Sequence, residues 1–135
     1  MGTWGIDSFG NDDAADLVGD LTEQSDLEPV REAIARVLAA DGYLEAPDAQ
    51  QAIAACEVVA VALGRPSAAA EAEEDLMAWI ARVKPSPDPA LRFQAAQALD
   101  RILGPDSELR ELWEESDEFA HWQAEVTGLR ARLQA

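Results

Sequence analysis

Pro47-Asp48-Ala49-Gln50-Gln51-Ala52-Ile53-Ala54-Ala55-Cys56-Glu57-Val58-Val59-Ala60-Val61-Ala62-Leu63 is the stretch that decides the fold. Its apolar residues fall on every side of a helix, not on one stripe, and a helix of that kind must be surrounded by others. Gly64 fits the position just past its end, where a left-handed backbone is needed, and Arg65-Pro66 turns the chain away. The rest of the chain then has to supply amphipathic helices that pack around this one.

It does so on both sides. Asn11 is placed to cap a helix running to about residue 23, with Asp12 and Asp13 in the first turn, where the helix dipole favours negative charge. Asp26 caps the next helix, Pro29 is tolerated in its first turn, and Val30, Ile34, Val37 and Leu38 form one apolar stripe. A reversal at residues 41–47 leads into the central helix. Beyond it, Ser67 caps a helix carrying Leu76, Met77, Trp79, Ile80 and Val83. Three prolines at 85, 87 and 89 then break the chain, and Asp88 with Pro89 at the first helical position starts the next helix, whose buried side is Leu91, Ala95, Ala98, Leu99 and Ile102. Gly104-Pro105 closes it. A short helix at about residues 105–115 and a longer one after Ser116 complete the chain, the latter with Phe119, Trp122, Val126, Leu129 and Leu133 on one seam. Runs alternating in β-branched and aromatic residues are absent. The expectation is all-α: one irregular helical bundle of six or seven helices, forming a single domain over residues 1–135.

The amino terminus is expected to be part of that domain. Trp4 and Phe9 each offer roughly 150–250 Å² of ring surface for burial, so residues 1–10 read as a plug packed on the bundle. This start, Gly2-Thr3-Trp4-Gly5 with Phe9-x-Asn11-Asp12-x-Ala14-x-Asp16, together with Ala52-Ile53-Ala54-Ala55-Cys56-Glu57-Val58-Val59-Ala60, resembles a family of small bacterial proteins known as domain of unknown function 4259. Ser107-Glu108-Leu109-Arg110-Glu111-Leu112-Trp113 supports the resemblance. The chain departs from the family pattern at Leu17, where an aromatic is common, and at Cys56, where alanine is usual. The resemblance implies a bacterial cytoplasmic protein and brings no established activity.

Charge narrows the function. Twenty-seven acidic residues against ten Lys and Arg give a formal charge of −17, which repels nucleic-acid phosphate and anionic membranes. The acids come in blocks: eight without a base up to Val30, a short run at Glu71, Glu73, Glu74 and Asp75, and Glu108, Glu111, Glu114, Glu115, Asp117 and Glu118 with Arg110 against them. The one cysteine excludes an intramolecular disulfide and a thiolate zinc site. The first residues lack the pattern of a secretory signal, position 6 is Ile6 where myristoylation wants Ser or Thr, and the longest apolar run is far short of the ~20 residues that span a bilayer. A cytoplasmic protein is expected.

Few residues carry candidate chemistry. Glu57 is the one ionisable side chain between Asp48 and Arg65 besides Cys56, and a buried carboxylate needs a partner. An arginine, the Trp4 indole or the amides of the terminal glycines are candidates, and Glu57, Trp4 and Asn11 are read as structural polar anchors; the rival role for Glu57 is a general base or metal ligand. Glu111, Glu115 and Glu118 lie on one helical face, and Glu71-x-x-Glu74 and Glu114-x-x-Asp117 have the spacing by which all-α nucleotide pyrophosphohydrolases hold metals, but the pairs are 40 residues apart in a chain poor in phosphate-gripping cations. His121 has no second ligand near it, and Cys56 lies in an apolar run where a thiol stays protonated. Trp79, Trp113 and Trp122 read as core anchors; Trp113, flanked by Glu111, Glu114 and Glu115, is also a candidate hot spot if exposed. No catalytic residue, metal site or cofactor is assigned. The expectation is a non-enzymatic interaction module, a monomer or homodimer of the inhibitor or immunity type, whose surface of Glu111, Trp113, Glu114, Glu115 and Glu118 meets a basic protein. The alternative is a metal-dependent hydrolase of a nucleotide or small molecule using helix carboxylates.

Overall fold

The computed structural model describes residues 12–134. Eight helices occur among them: α1 (Asp12–Thr22), α2 (Glu28–Ala39), α3 (Ala46–Ala62), α4 (Ala68–Glu71), α5 (Glu74–Val83), α6 (Pro89–Leu103), α7 (Glu108–Glu114) and α8 (Phe119–Gln134). The fold is all-helical, and the described residues contain no strand, only an isolated parallel bridge between Leu44 and Ser107. Trp4, Phe9, Asn11 and the residue 1–10 plug expected from sequence lie outside the described residues.

The count exceeds the expected six or seven because the helix beginning at Ser67 is divided. Ser67 accepts from the Ala70 amide as a cap, but α4 ends after one turn, and α5 starts afresh at Glu74. A continuous helix would carry Glu71, Glu73, Glu74 and Asp75 in its interior; the restart sets Glu74 and Asp75 in a first turn, where the dipole stabilises them. The start of α2 also differs. Its N-cap is Leu27, without a side-chain bond, while Asp26 accepts from the Glu28 amide at 3.0 Å one position earlier. Leu38, expected on the apolar stripe of α2, is exposed, and Val30, Ala33, Ile34 and Val37 form the buried face.

α3 is the centre. Residues 52–61 are all buried, and α1, α2, α4, α6, α7 and α8 pack on the helix. Alanines at 49, 52, 54, 55 and 60 let neighbouring backbones approach it closely, while Ile53, Val58 and Val59 fill the gaps. The helix ends in a Schellman motif: Gly64 adopts φ +82°, its amide reaches the Val61 carbonyl and the Arg65 amide reaches that of Ala60. One core cluster draws on α1, α2, α3, α5, α6, α7 and α8, including Trp79, Trp113 and Trp122.

α6 and α8 keep their expected seams, with Leu91, Ala95, Ala98, Leu99 and Ile102 buried on one and Trp122, Val126, Leu129 and Leu133 on the other. Asp88 caps α6 by accepting from the Leu91 amide at 2.7 Å. Such a cap contributes about 1 kcal/mol.

Candidate functional site

Glu57 sits in the last third of α3 with 3% of its surface exposed. Arg132, in the last turn of α8, reaches it from 75 residues away in sequence, donating from Nη1 to Oε1 at 3.0 Å and from Nη2 to Oε2 at 3.4 Å. The arginine is one of the partner types that sequence reading offers for Glu57. Around this pair the cations hold backbone. Arg132 also donates to the Arg65 carbonyl at 3.0 Å, Arg65 returns a bond to the Arg132 carbonyl at 3.0 Å, and Arg92 donates to the Leu133 carbonyl from Nε and Nη2. The Arg132 and Leu133 carbonyls belong to the last turn of α8, where they carry partial negative charge and lack helical partners, and that of Arg65 lies just past the end of α3. Every guanidinium here is occupied in fastening α8 to α3 and α6.

Cys56 is fully buried beside Glu57, its thiol directed at the Ala95 carbonyl at 3.5 Å; burial, then the Glu57 charge, push its pKa well above the ordinary thiol range. A thiol held protonated in this way is a poor nucleophile.

At the other end of α3 the chain forms a junction that sequence reading missed. The Leu44 amide donates to the Asp106 carbonyl at 2.8 Å and the Glu108 amide to the Leu44 carbonyl at 2.9 Å. Glu108 Oε1 accepts from the Ala46 amide at 2.8 Å, supplying to the start of α3 the cap that its own N-cap residue, Glu45, does not. Arg101 spreads its guanidinium over the carbonyls of Gly42, Pro105 and Asp106. Asp106 is held at φ +58°, which few residues other than glycine adopt. On this platform Tyr43 stands 49% exposed, its hydroxyl donating to Glu111 Oε1 at 2.8 Å. That bond, and the charges of Glu111, Glu108 and Asp106, push its pKa up to about 12.

The acids after the junction face outward. Glu111, Glu114, Glu115, Asp117 and Glu118 are exposed. Arg110 makes an ion pair with Glu114 at 3.6 Å and lies over the Phe119 ring, and His121, itself exposed, sits between Glu118 at 3.3 Å and Glu125 at 3.9 Å. Trp113 is not with them. It is 5% exposed and stacks on Trp122 with centroids 6.2 Å apart and planes 9° from parallel. α7 turns Leu109 and Trp113, four residues apart, toward the core and its acids away, so the structure removes the tryptophan from the expected surface. The signal was the Leu109–Trp113 spacing itself.

A further acidic group forms where α1 meets α3: burial, followed by the charges of Asp16, Asp12 and Asp48, raises the Asp13 pKa. Among the described residues no three of His, Cys, Asp and Glu are grouped so as to hold a metal ion. Two of the open grooves among the described residues have volumes of about 320 Å³. One is lined by Pro89, Arg92, Phe93, Ala96, Leu133 and Gln134, with Phe93 65% exposed. The other lies between the α1–α2 and α5–α6 connections and includes Asp26, Arg31, Val83 and Pro85. No described helix is long and apolar enough to cross a membrane.

Residues 2–125 match the family described as Domain of unknown function (DUF4259), and the chain belongs to that family. No curated protein and no solved structure matches it.

Proposed function

We propose that this member of the DUF4259 family is a small acidic protein–protein interaction module that binds a basic partner, in the manner of an inhibitor or immunity protein occupying a positively charged nucleic-acid groove. The observation that carries the reading is the outward face of α7 and the turn that follows it: Glu111 and Glu114 are exposed on a helix fixed to the core by Leu109 and Trp113, and Glu115, Asp117 and Glu118 are exposed in the turn before α8. Rigidly mounted charges of one sign steer a partner of the opposite sign and align it on arrival. The role assigned to Glu57 and Arg132 is structural: they keep the helices that carry this face in register. The same reading puts the protein in a bacterial cytoplasm, as a monomer or homodimer, with its single cysteine reduced.

The test is co-purification at low ionic strength. A basic protein should be retained, released as salt rises, and lost when Glu114, Glu115 and Glu118 are replaced together by lysine. Failure to retain any basic protein at low salt overturns the reading.

A further inference from the structure

The junction between residues 42–46 and 105–111 does more than cap α3. Backbone and side-chain bonds from Leu44, Ala46, Arg101 and Glu108 fix the loop on both sides of Tyr43, and a bond to Glu111 fixes the tyrosine's own hydroxyl. Half of that side chain nonetheless faces solvent. An aromatic ring immobilised before any partner arrives gives up little conformational entropy on binding, which is what makes tyrosine effective in recognition surfaces. The carboxylates of Asp106, Glu108 and Glu111 all bear on that hydroxyl, and among the described residues none of the three is in an ion pair. Arg101, the cation at this junction, has its guanidinium turned to three backbone carbonyls. The surface therefore combines a half-exposed ring with three carboxylates set against the guanidinium of Arg101, a net negative charge.

We infer that Tyr43, bordered by Asp106, Glu108 and Glu111, is the docking point for an arginine side chain of the basic partner, the guanidinium lying on the ring and its edge N–H groups meeting the carboxylates. The inference rests on the reading of the protein as an acidic interaction module and names the anchor of that interface. Arginine suits it better than lysine because a planar guanidinium stacks on a ring while presenting a fork of donors in its plane. Tyr43 thus takes the place that the buried Trp113 leaves empty.

Tyr43 is the only tyrosine of the chain, so ring-labelled tyrosine gives one set of NMR signals to follow. The full chain is titrated at low salt with oligo-arginine and oligo-lysine peptides of equal length, which carry the same charge and differ in the head group. The Tyr43 ring signals should move on adding oligo-arginine, and that peptide should bind about three- to fivefold more tightly than oligo-lysine. Y43F should keep most of this preference; Y43A and Y43L should both lose it, with the helical circular dichroism of each variant confirming the fold. Ring signals that stay still at saturation, or a preference that survives in Y43A and Y43L, overturn Tyr43 as the anchor and leave the acidic module standing. Absence of binding by either peptide at low salt overturns both.

Discussion

The carboxylate of Glu57 and those of Glu114, Glu115 and Glu118 are the same chemical group in opposite circumstances. Glu57 is enclosed by the core and meets the Arg132 guanidinium. The other three stand in water, with Arg110 and His121 as loose neighbours. In water, a carboxylate with or without a neighbour changes stability by a fraction of a kcal/mol, whereas in a core the loss of a partner leaves a charge that solvent cannot reach. Where a charge lies decides whether it serves the fold or the surface.

That contrast can be broken at several points. The largest effect is expected from Trp113→Ala, since α7 divides the two environments and Trp113 is on its inner side: a loss of about 3–5 kcal/mol in urea unfolding. A change below 1 kcal/mol would return Trp113 to the surface. Arg132→Ala should cost about 3 kcal/mol, the low end for breaking a buried pair, because a quarter of the Arg132 side chain is exposed and water can enter; thermal unfolding reads this directly. Glu57→Gln keeps the shape and some of the hydrogen bonding, so its cost should be smaller, about 1–3 kcal/mol. A melting temperature unchanged from the parent would refute the structural role of Glu57. Replacing Glu114, Glu115 and Glu118 singly by lysine should alter stability by no more than about 0.5 kcal/mol each, while the response of the melting temperature to added salt shrinks as the repulsion is relieved.

The smallest effect is a titration. The folded-state pKa of Tyr43 lies above its ordinary value of 10.0, at about 12. The folded state therefore holds the phenolic proton more tightly than the unfolded chain, and the associated stability is complete below pH 10 and lost as pH rises toward 12. The near-ultraviolet absorbance of phenolate should appear late in the native protein and move back toward pH 10 in Glu111→Gln. An ordinary titration in the parent would mean that the Tyr43–Glu111 bond does not persist in solution.

Sequence disclosed what depends on local periodicity. The apolar girth of α3, the caps Ser67 and Asp88, the glycine at 64 and the seams of α6 and α8 are all written within a few residues of where they act. Long-range pairings were not. Glu57 announced that it needed a partner, but Arg132 was one of ten cations in the chain, chosen by the crossing of α3 and α8. The junction that presents Tyr43 is made largely of backbone amides and carbonyls from loops some sixty residues apart, and backbone groups leave no residue-specific mark. The split between α4 and α5 was hidden because Ala72 and Glu73 favour helix; the gain from setting Glu74 and Asp75 in a fresh first turn is a property of the segment, not of either residue.

The family match ends at residue 125, whereas the cation that meets Glu57 is seven residues further on. A chain cut at the family boundary would keep the acid and discard the Arg132 guanidinium, together with the seam residues Val126, Leu129 and Leu133. The last turns of α8 therefore bring both a guanidinium to Glu57 and the apolar closure of the seam, and a product cut at residue 125 should be cleaved by proteases faster than the whole chain.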